Sequence, residues 1–321
     1  IPADEYEVIC INDGSPDNSL EVLLRLQKEY SNIHIINQQN QGVSRARNNG
    51  IDVATGKYLL FIDPDDSVEP DSFGRILEKA ENNSAQISFL GYTVFDKDGI
   101  ARKTVYNKGH KVGVFSGLTA YSHARGTGQT DPDRIWAVLI GREFLNHYGL
   151  RFLPGVPYLE DGELITRILC LAERSIFDGR PFYNRTTRTG SATNSILFHL
   201  PKATEGFLLS AVHLKQFQLE KFLNDNQRRF LNQPICKYVI LTVVSARKPF
   251  LIRRIKEVTK RLNEMGFNKL DLNGLNRDYR RLGWTYNKSI WMLLGYQFLI
   301  TIIRSFNFCS RGRHSLWVAI F

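Results

Sequence analysis

Leu59-Leu60-Phe61-Ile62-Asp63-Pro64-Asp65-Asp66-Ser67-Val68-Glu69-Pro70-Asp71 runs from an apolar stretch of buried-strand character into three carboxylates packed within four positions. Like charges at this spacing repel strongly at protein dielectric, so the acids either splay into solvent or share a cation. A hard divalent ion, Mn²⁺ or Mg²⁺, suits them, because such ions take oxygen ligands, commonly one or two carboxylates with substrate phosphates completing the shell. The place also suits a ligand, since open α/β sheets bind at the carboxyl ends of their strands. The plainer alternative is an acidic turn capping the next helix, with Asp66 or Ser67 as N-cap and Pro70 in the first turn.

The flanking residues supply the context. Tyr6-Glu7-Val8-Ile9-Cys10-Ile11 is a β-rich run that stops at the turn and cap cluster Asn12-Asp13-Gly14-Ser15-Pro16-Asp17-Asn18-Ser19. The helical pattern Leu20, Leu23, Leu24, Leu26 follows. A second strand, Ile33-His34-Ile35-Ile36, leads through Asn37-Gln38-Gln39-Asn40-Gln41-Gly42 into a second helix and then into the acidic strand end. Alternating β and α elements of this kind argue for an α/β fold with parallel strands joined by right-handed crossovers.

Three ordered motifs then resemble the nucleotide-sugar-binding half of family 2 glycosyltransferases with the GT-A fold. They are Asn12-Asp13-Gly14-Ser15-Pro16-Asp17, then Asn40-Gln41-Gly42-Val43-Ser44-Arg45-Ala46-Arg47-Asn48-Asn49-Gly50, then Gly56-Lys57-Tyr58 through Asp66. The resemblance implies a GT-A-like, mostly parallel sheet flanked by helices. The family's Asp-Asp-Gly-Ser stretch stands here as Asn12-Asp13-Gly14-Ser15, and its retained acid, Asp13, is implied to meet the base of the donor nucleotide. Gly42, Arg47 and Asp63 are implied on the donor, and the family's Asp-x-Asp motif, which holds metal and diphosphate, falls on Asp63 and Asp65.

A further match lies downstream. Asp133-Arg134-Ile135-Trp136 through Leu145, then Leu150-Arg151-Phe152-Leu153-Pro154-Gly155-Val156-Pro157-Tyr158-Leu159-Glu160-Asp161-Gly162-Glu163-Leu164, is similar to the family's acceptor-side segment ending in Glu-Asp. That pair supplies the general base in inverting members, which implies Asp161 in the role, with Glu160 second. Attack of a sugar hydroxyl on an anomeric carbon needs a carboxylate within hydrogen-bond reach of the hydroxyl proton. Alternatively, Glu160, Asp161 and Glu163 merely line the first turn of a helix over 162–173, where acids favour the dipole.

The resemblance covers residues 1–195 and closes on Phe182-Tyr183-Asn184-Arg185-Thr186-Thr187-Arg188-Thr189-Gly190-Ser191-Ala192-Thr193, similar to the family's Tyr-x-x-Arg-x-x-Ser segment. The family's opening strand, with its nucleotide-contacting loop, has no counterpart before Tyr6, so an N-terminally incomplete domain is expected. The implied activity is inverting, metal-dependent transfer from a nucleoside diphosphate sugar, a UDP-sugar, to a glycan or lipid-linked acceptor in polysaccharide assembly. Other function classes compatible with the residues are a catalytically silent sugar-nucleotide or glycan-binding module and a membrane-surface scaffold.

Composition sets bounds. The 321 residues exceed one typical domain, and 43% hydrophobic content is ordinary for a packed core. Cys10, Cys170, Cys236 and Cys309 are widely spread without a Cys-x-x-Cys pair, which fits reduced thiols of a cytoplasmic protein and argues against zinc. The histidines form no metal-spaced pair. No Walker loop, Gly-x-Ser-x-Gly or Gly-x-Gly-x-x-Gly stands out, so NTPase, serine hydrolase and dinucleotide-dependent classes lack support.

Charge divides the chain at the same boundary. Residues 1–195 carry a net −4 and residues 196–321 a net +14. The latter read as a basic, mainly helical region: apolar positions at helical spacing over 203–223, an apolar segment over 235–245, and a basic amphipathic stretch from Arg247 and Lys248 through Phe250, Leu251 and Ile255 to Arg261. Ser289-Ile290-Trp291-Met292-Leu293-Leu294-Gly295-Tyr296-Gln297-Phe298-Leu299-Ile300-Thr301-Ile302-Ile303 then runs into Arg304, Arg311 and Arg313. This run is short of the ~20 apolar residues of a membrane span. An in-plane helix on the anionic inner face of a membrane, or a core helix packed on its neighbours, is expected instead. Nucleic acid is not expected as a partner, because the aromatic residues sit among long aliphatic runs and no nucleic-acid module appears.

Overall fold

The computed structural model describes residues 2–105, 113–124, 134–187, 198, 200–246 and 252–310, the last ten as backbone. Asp133, residues 188–193, Arg247, Lys248, Phe250, Leu251, Arg311 and Arg313 lie outside the described residues. The chain divides into two units, Ile1–Ser191 and Ala192–Phe321.

The first unit opens with β1 (Val8–Asp13), α1 (Ser19–Glu29), β2 (Ile33–Gln38) and α2 (Val43–Val53). The two strands pair in parallel from Val8 opposite Ile33 to Asp13 opposite Gln38, so the carboxyl ends of both strands bring Asp13 beside Gln38. A second sheet comprises β3 (Tyr58–Leu59), β4 (Ser67–Val68), β5 (Ile87–Phe95), β6 (Ala101–Val105), β7 (Val138–Gly141) and β8 (Ser175–Thr186). Its order is β3-β7-β5-β8-β4, with β6 also on β5. The α/β class holds; the first sheet is parallel, and the second is mixed and mainly antiparallel. β5 runs parallel to β8, its partner after a long crossover, and antiparallel to β6, its partner across the short turn Asp96-Lys97-Asp98-Gly99. β3–β7 and β4–β8 are antiparallel as well.

The apolar run that precedes the acids forms less strand than its composition predicts. Only Tyr58 and Leu59 pair, with Gly141 and Ile140, and Ile62 is 48% exposed. β-propensity needs a neighbouring strand to be realised, and β7 offers one for two residues alone. The capping alternative for the acidic stretch also fails. Ser67 lies in β4 opposite Asn184, and a 3₁₀ turn at Pro70–Ser72 intervenes before α3 (Phe73–Asn82), whose N-cap is Ser72.

α4 (Gly117–Ala124), α5 (Arg142–His147) and α6 (Glu160–Leu171) complete the first unit. Gly117 packs so tightly on α6 that a Cβ there would sit 2.3 Å from the Leu169 carbonyl oxygen. Every residue of α6 from Asp161 to Leu171 is buried. One core cluster joins Ile76 and Ala80 of α3 to Leu90 and Tyr92 of β5, Leu139 of β7 and Phe182 and Tyr183 of β8. Trp136 anchors it, edge-on to Tyr92 at 5.0 Å and stacked on Tyr183 at 4.7 Å.

The second unit is helical: α7 (Pro201–Gln218), α8 (Asp225–Ser245), α9 (Ile252–Glu264), α10 (Arg277–Lys288) and α11 (Ile290–Ser310). A capping box starts α8, with Asn224 Oδ1 accepting from the Gln227 amide at 3.0 Å and Gln227 Oε1 from the Asn224 amide at 2.7 Å. Asn276 caps α10 through the Tyr279 amide at 2.9 Å. Asn287 then pins the far end of α10 to Leu270, donating to its carbonyl at 2.9 Å and accepting from its amide at 2.7 Å. No helix among the described residues is long and apolar enough to cross a membrane.

Candidate active site

The site assembles around one side chain of α2. Arg47 Nη1 donates to Asp161 Oδ1 at 2.6 Å and Glu160 Oε1 at 2.9 Å, while Nη2 donates to Asp63 Oδ1 at 3.0 Å. A planar guanidinium with a fork of donors is the side chain able to hold several carboxylates at once. The acids expected on the donor side and the acids expected on the acceptor side thus meet on a single cation.

Local structure fixes this meeting. Asn48, next to Arg47, clamps the backbone of Phe152 in both directions, donating to its carbonyl and accepting from its amide, each at 2.8 Å. The Phe152 ring lies under the guanidinium, 5.2 Å from its carbon, and meets Phe61 edge-on at 5.3 Å. Arg167 of α6 grips the same segment through the Arg151 carbonyl at 2.7 Å, and its charge is matched within the helix by Glu163 at 2.7 and 2.8 Å. Leu159, at the N-cap of α6, holds φ +58°, in the left-handed region that L side chains seldom occupy. That unusual turn delivers Glu160 and Asp161 to Arg47 at the helix start.

Electrostatics at this point are unbalanced. Burial raises the Asp161 carboxyl well above its ordinary range, Arg47 pulls it back, and the neighbouring Glu160 and Asp63 charges push it up again. Burial likewise raises Glu160, opposed by Arg47. Arg47 itself, desolvated but facing three acids, is driven further above its ordinary value and stays charged.

Asp13 occupies a different place. Its Oδ1 accepts from Gln38 Nε2 and the Gln41 amide, both at 2.8 Å, and its Oδ2 from the Gly42 amide at 2.9 Å. Gly42 sits at φ +87°, a conformation glycine adopts freely, as the N-cap of α2. Asp13 therefore organises the turn that starts the Arg47 helix and keeps little acceptor capacity beyond it. Asn12 bonds Asn37 at 2.7 Å, a pairing of side chains across β1 and β2.

Asp63, Asp65 and Asp66 follow one another around a tight turn closed by the Asp66 amide on the Asp63 carbonyl at 3.0 Å. Tyr183 ties this turn to the core: its hydroxyl donates to Asp66 Oδ2 at 2.7 Å and accepts from the Asp63 amide at 3.1 Å. Asp66 also accepts from the Thr186 amide at 2.7 Å. Burial raises the Asp66 carboxyl, its hydrogen bonds lower it, and repulsion from Asp65 and Asp63 raises it. Among the described residues no three His, Cys, Asp or Glu gather as a ready-made metal site. The repulsion within the turn still suits a cation, and a divalent ion completed by diphosphate oxygens requires only one or two of these carboxylates.

The structure thus brings Arg47, Asp63, Glu160 and Asp161 together and places Asp13 with Gly42 at the start of α2. Sequence reading assigned no role to Asn48, Phe152 or Tyr183. The period of α2 puts Asn48 beside Arg47, but its partner is more than 100 residues away; Tyr183 lay within the closing motif without a partner to name.

Comparison with known proteins agrees with this architecture. Residues 2–144 match the family model described as Glycosyl transferase family 2. The glycosyltransferase EpsJ of Bacillus subtilis is 32% identical over 171 residues, which cover 53% of this chain and 49% of that protein. The cholesterol galactosyltransferase of Borreliella burgdorferi is 30% identical over 198 residues, 60% of this chain and 55% of that protein. The chain spans about half the length of these two relatives. Among solved structures, residues 1–349 of S. aureus TarS in complex with UDP-GlcNAc share the fold, with a TM-score of 0.63 at 16% identity over 91% of this chain and 82% of that one. Residues 2–144 thus form a region that matches glycosyl transferase family 2, in a chain that shares its fold with that TarS structure.

Proposed function

We propose that the protein is an inverting, metal-dependent glycosyltransferase that moves a sugar from a nucleoside diphosphate sugar, a UDP-sugar, to a hydroxyl of a glycan or lipid-linked acceptor in polysaccharide assembly. The observation that carries this reading is the meeting of Asp63 with Glu160 and Asp161 on Arg47, which sets donor-side and acceptor-side carboxylates one guanidinium apart. The TarS structure with UDP-GlcNAc motivates the donor class, and a relative named for galactosyl transfer to cholesterol motivates an acceptor hydroxyl on a lipid.

In this reading Asp161 accepts the proton of the acceptor hydroxyl. The freed oxygen forms its bond to the anomeric carbon on the face opposite the diphosphate, the carbon–oxygen bond to the diphosphate breaks, and the nucleoside diphosphate leaves with inversion. A base works best with a pKa near the operating pH, and the raised Asp161 carboxyl moves in that direction. Arg47 offers phosphate oxygens a fork of donors, so diphosphate entry competes for the cation that now holds Asp161. Asp63 and Asp65 would hold a divalent cation, Mn²⁺ or Mg²⁺, which supplies charge neutralisation at the leaving diphosphate. Asp13 and Gly42 set the start of α2 beside the donor. Peripheral contact with an anionic inner-face membrane belongs to the same proposal, motivated by the net +14 of residues 196–321.

The test is nucleoside diphosphate release across a panel of sugar nucleotides, with and without EDTA. The expected result is EDTA-sensitive release from a UDP-sugar that Asp65→Asn abolishes; donor binding by calorimetry that is indifferent to both EDTA and Asp65→Asn would refute the metal assignment.

A further inference from the structure

The second unit contains a groove of about 1020 Å³ between α10 and α11, lined by none of the residues assigned to the candidate active site. Arg277 and Arg281 stand one helical turn apart on its α10 side, both exposed, and neither side chain makes an ion pair or hydrogen bond among the described residues. Its apolar lining combines Trp284 of α10 with Met292, Tyr296 and Leu299, which follow one face of α11. Trp284 is 47% exposed, Met292 44% and Leu299 54%. Large side chains left in water beside two uncompensated cations form an amphiphilic surface: a place for an anion next to a place for a hydrocarbon chain.

We propose that this groove docks a phosphate-headed lipid presented by a bilayer, with head-group oxygens on Arg277 and Arg281 and the tail along Trp284, Met292 and Leu299. Charge selects this occupant. A second copy would bring another +14 region to an already cationic face, and an apolar peptide would leave both arginines without counter-charge. The site rests on the membrane contact proposed above and gives it a defined lipid seat; it shares no residue with the proposed transfer site, so vesicle flotation and nucleoside diphosphate release fail separately.

Flotation of the full chain with phosphatidylcholine vesicles, with and without phosphatidylglycerol, tests it. Binding is expected only with phosphatidylglycerol. The exposed double variant Arg277→Glu/Arg281→Glu should lower partitioning on the order of tenfold or more, and Met292→Asp/Leu299→Asp should lower it as well. The control Arg253→Glu/Lys256→Glu, an equal charge change at exposed positions of α9, should change it little. Equal loss in the control would mean diffuse charge attraction, and unchanged binding of the Met292/Leu299 variant would mean that no tail enters the groove; either overturns the site. Displacement by inorganic phosphate at constant ionic strength would reduce it to a small-anion site and also overturn it. A photoactivatable phosphatidylglycerol gives a reading on the unsubstituted chain: label on the peptide containing Met292 and Leu299 supports the site, and label elsewhere in residues 192–321 overturns it.

Discussion

Three carboxylates on one guanidinium leave a net negative charge in a partly desolvated place, and Asp161 bears most of the cost because it is the most deeply desolvated of the three. A buried acid with a raised pKa favours its protonated form, so its share of folding stability is present below the ordinary carboxylate value of 3.8 and is lost as pH rises through the elevated one. Asp161→Asn escapes that loss. It should therefore melt higher than the parent at neutral pH, with the difference shrinking as pH falls towards 4; a variant that melts lower at pH 7.5 would show that the ionised carboxylate is net stabilising. Arg47 has the opposite sign. Arg47→Met leaves the acids facing one another without a cation and should cost about 3–5 kcal/mol at neutral pH, recovering in acid as the carboxylates protonate. Urea unfolding at pH 7.5 and pH 5 reads both numbers, and equal losses at the two values would exclude charge as the cause.

At the scale of elements, the motif residues stay in place because ordinary packing holds their backbones. The Asp63–Asp66 turn hangs on Tyr183, whose ring is stacked on Trp136 within the core. Burial and the adjacent carboxylates push the Tyr183 phenol well above its ordinary range, so it remains a neutral donor. Tyr183→Phe should cost about 1–3 kcal/mol by stranding an Asp66 oxygen and the Asp63 amide. If the turn holds the metal, the same variant should also weaken donor binding more in Mn²⁺ than in EDTA; titration calorimetry in both buffers separates the two effects. This link also marks where sequence reading stops. β1, β2, α1 and α2 were legible because each carries its own periodicity and turn chemistry within about a dozen residues. The clamp of Asn48 on Phe152, the stacking of Tyr183 and the left-handed Leu159 depend on contacts or backbone strain that no local pattern encodes. The apolar run at 59–62 misled for the same reason: a strand needs a neighbour, and sequence does not show which one it has.

At the scale of the whole molecule, a charge change and a structural change fall close together, near residue 195 in charge and at Ser191 and Ala192 in the fold. The helical character of the basic region was legible from its apolar spacing. α10 was not, because its residues are mostly polar or charged, and the Asn287 clamp that holds its far end to Leu270 is a contact no local pattern encodes. The grouping of Asp63, Glu160 and Asp161 was not derivable from periodicity either; family resemblance implied their roles, and the fold supplies the distances. The measurement closest to the central claim is the comparison of Asp161→Asn with the parent in two assays, donor binding by calorimetry and nucleoside diphosphate release in the presence of acceptor. A base that acts on the acceptor hydroxyl in the transition state predicts unchanged donor affinity with turnover lower by roughly 10²–10⁴-fold. Near-normal turnover in Asp161→Asn, or donor affinity lost in step with turnover, would contradict it.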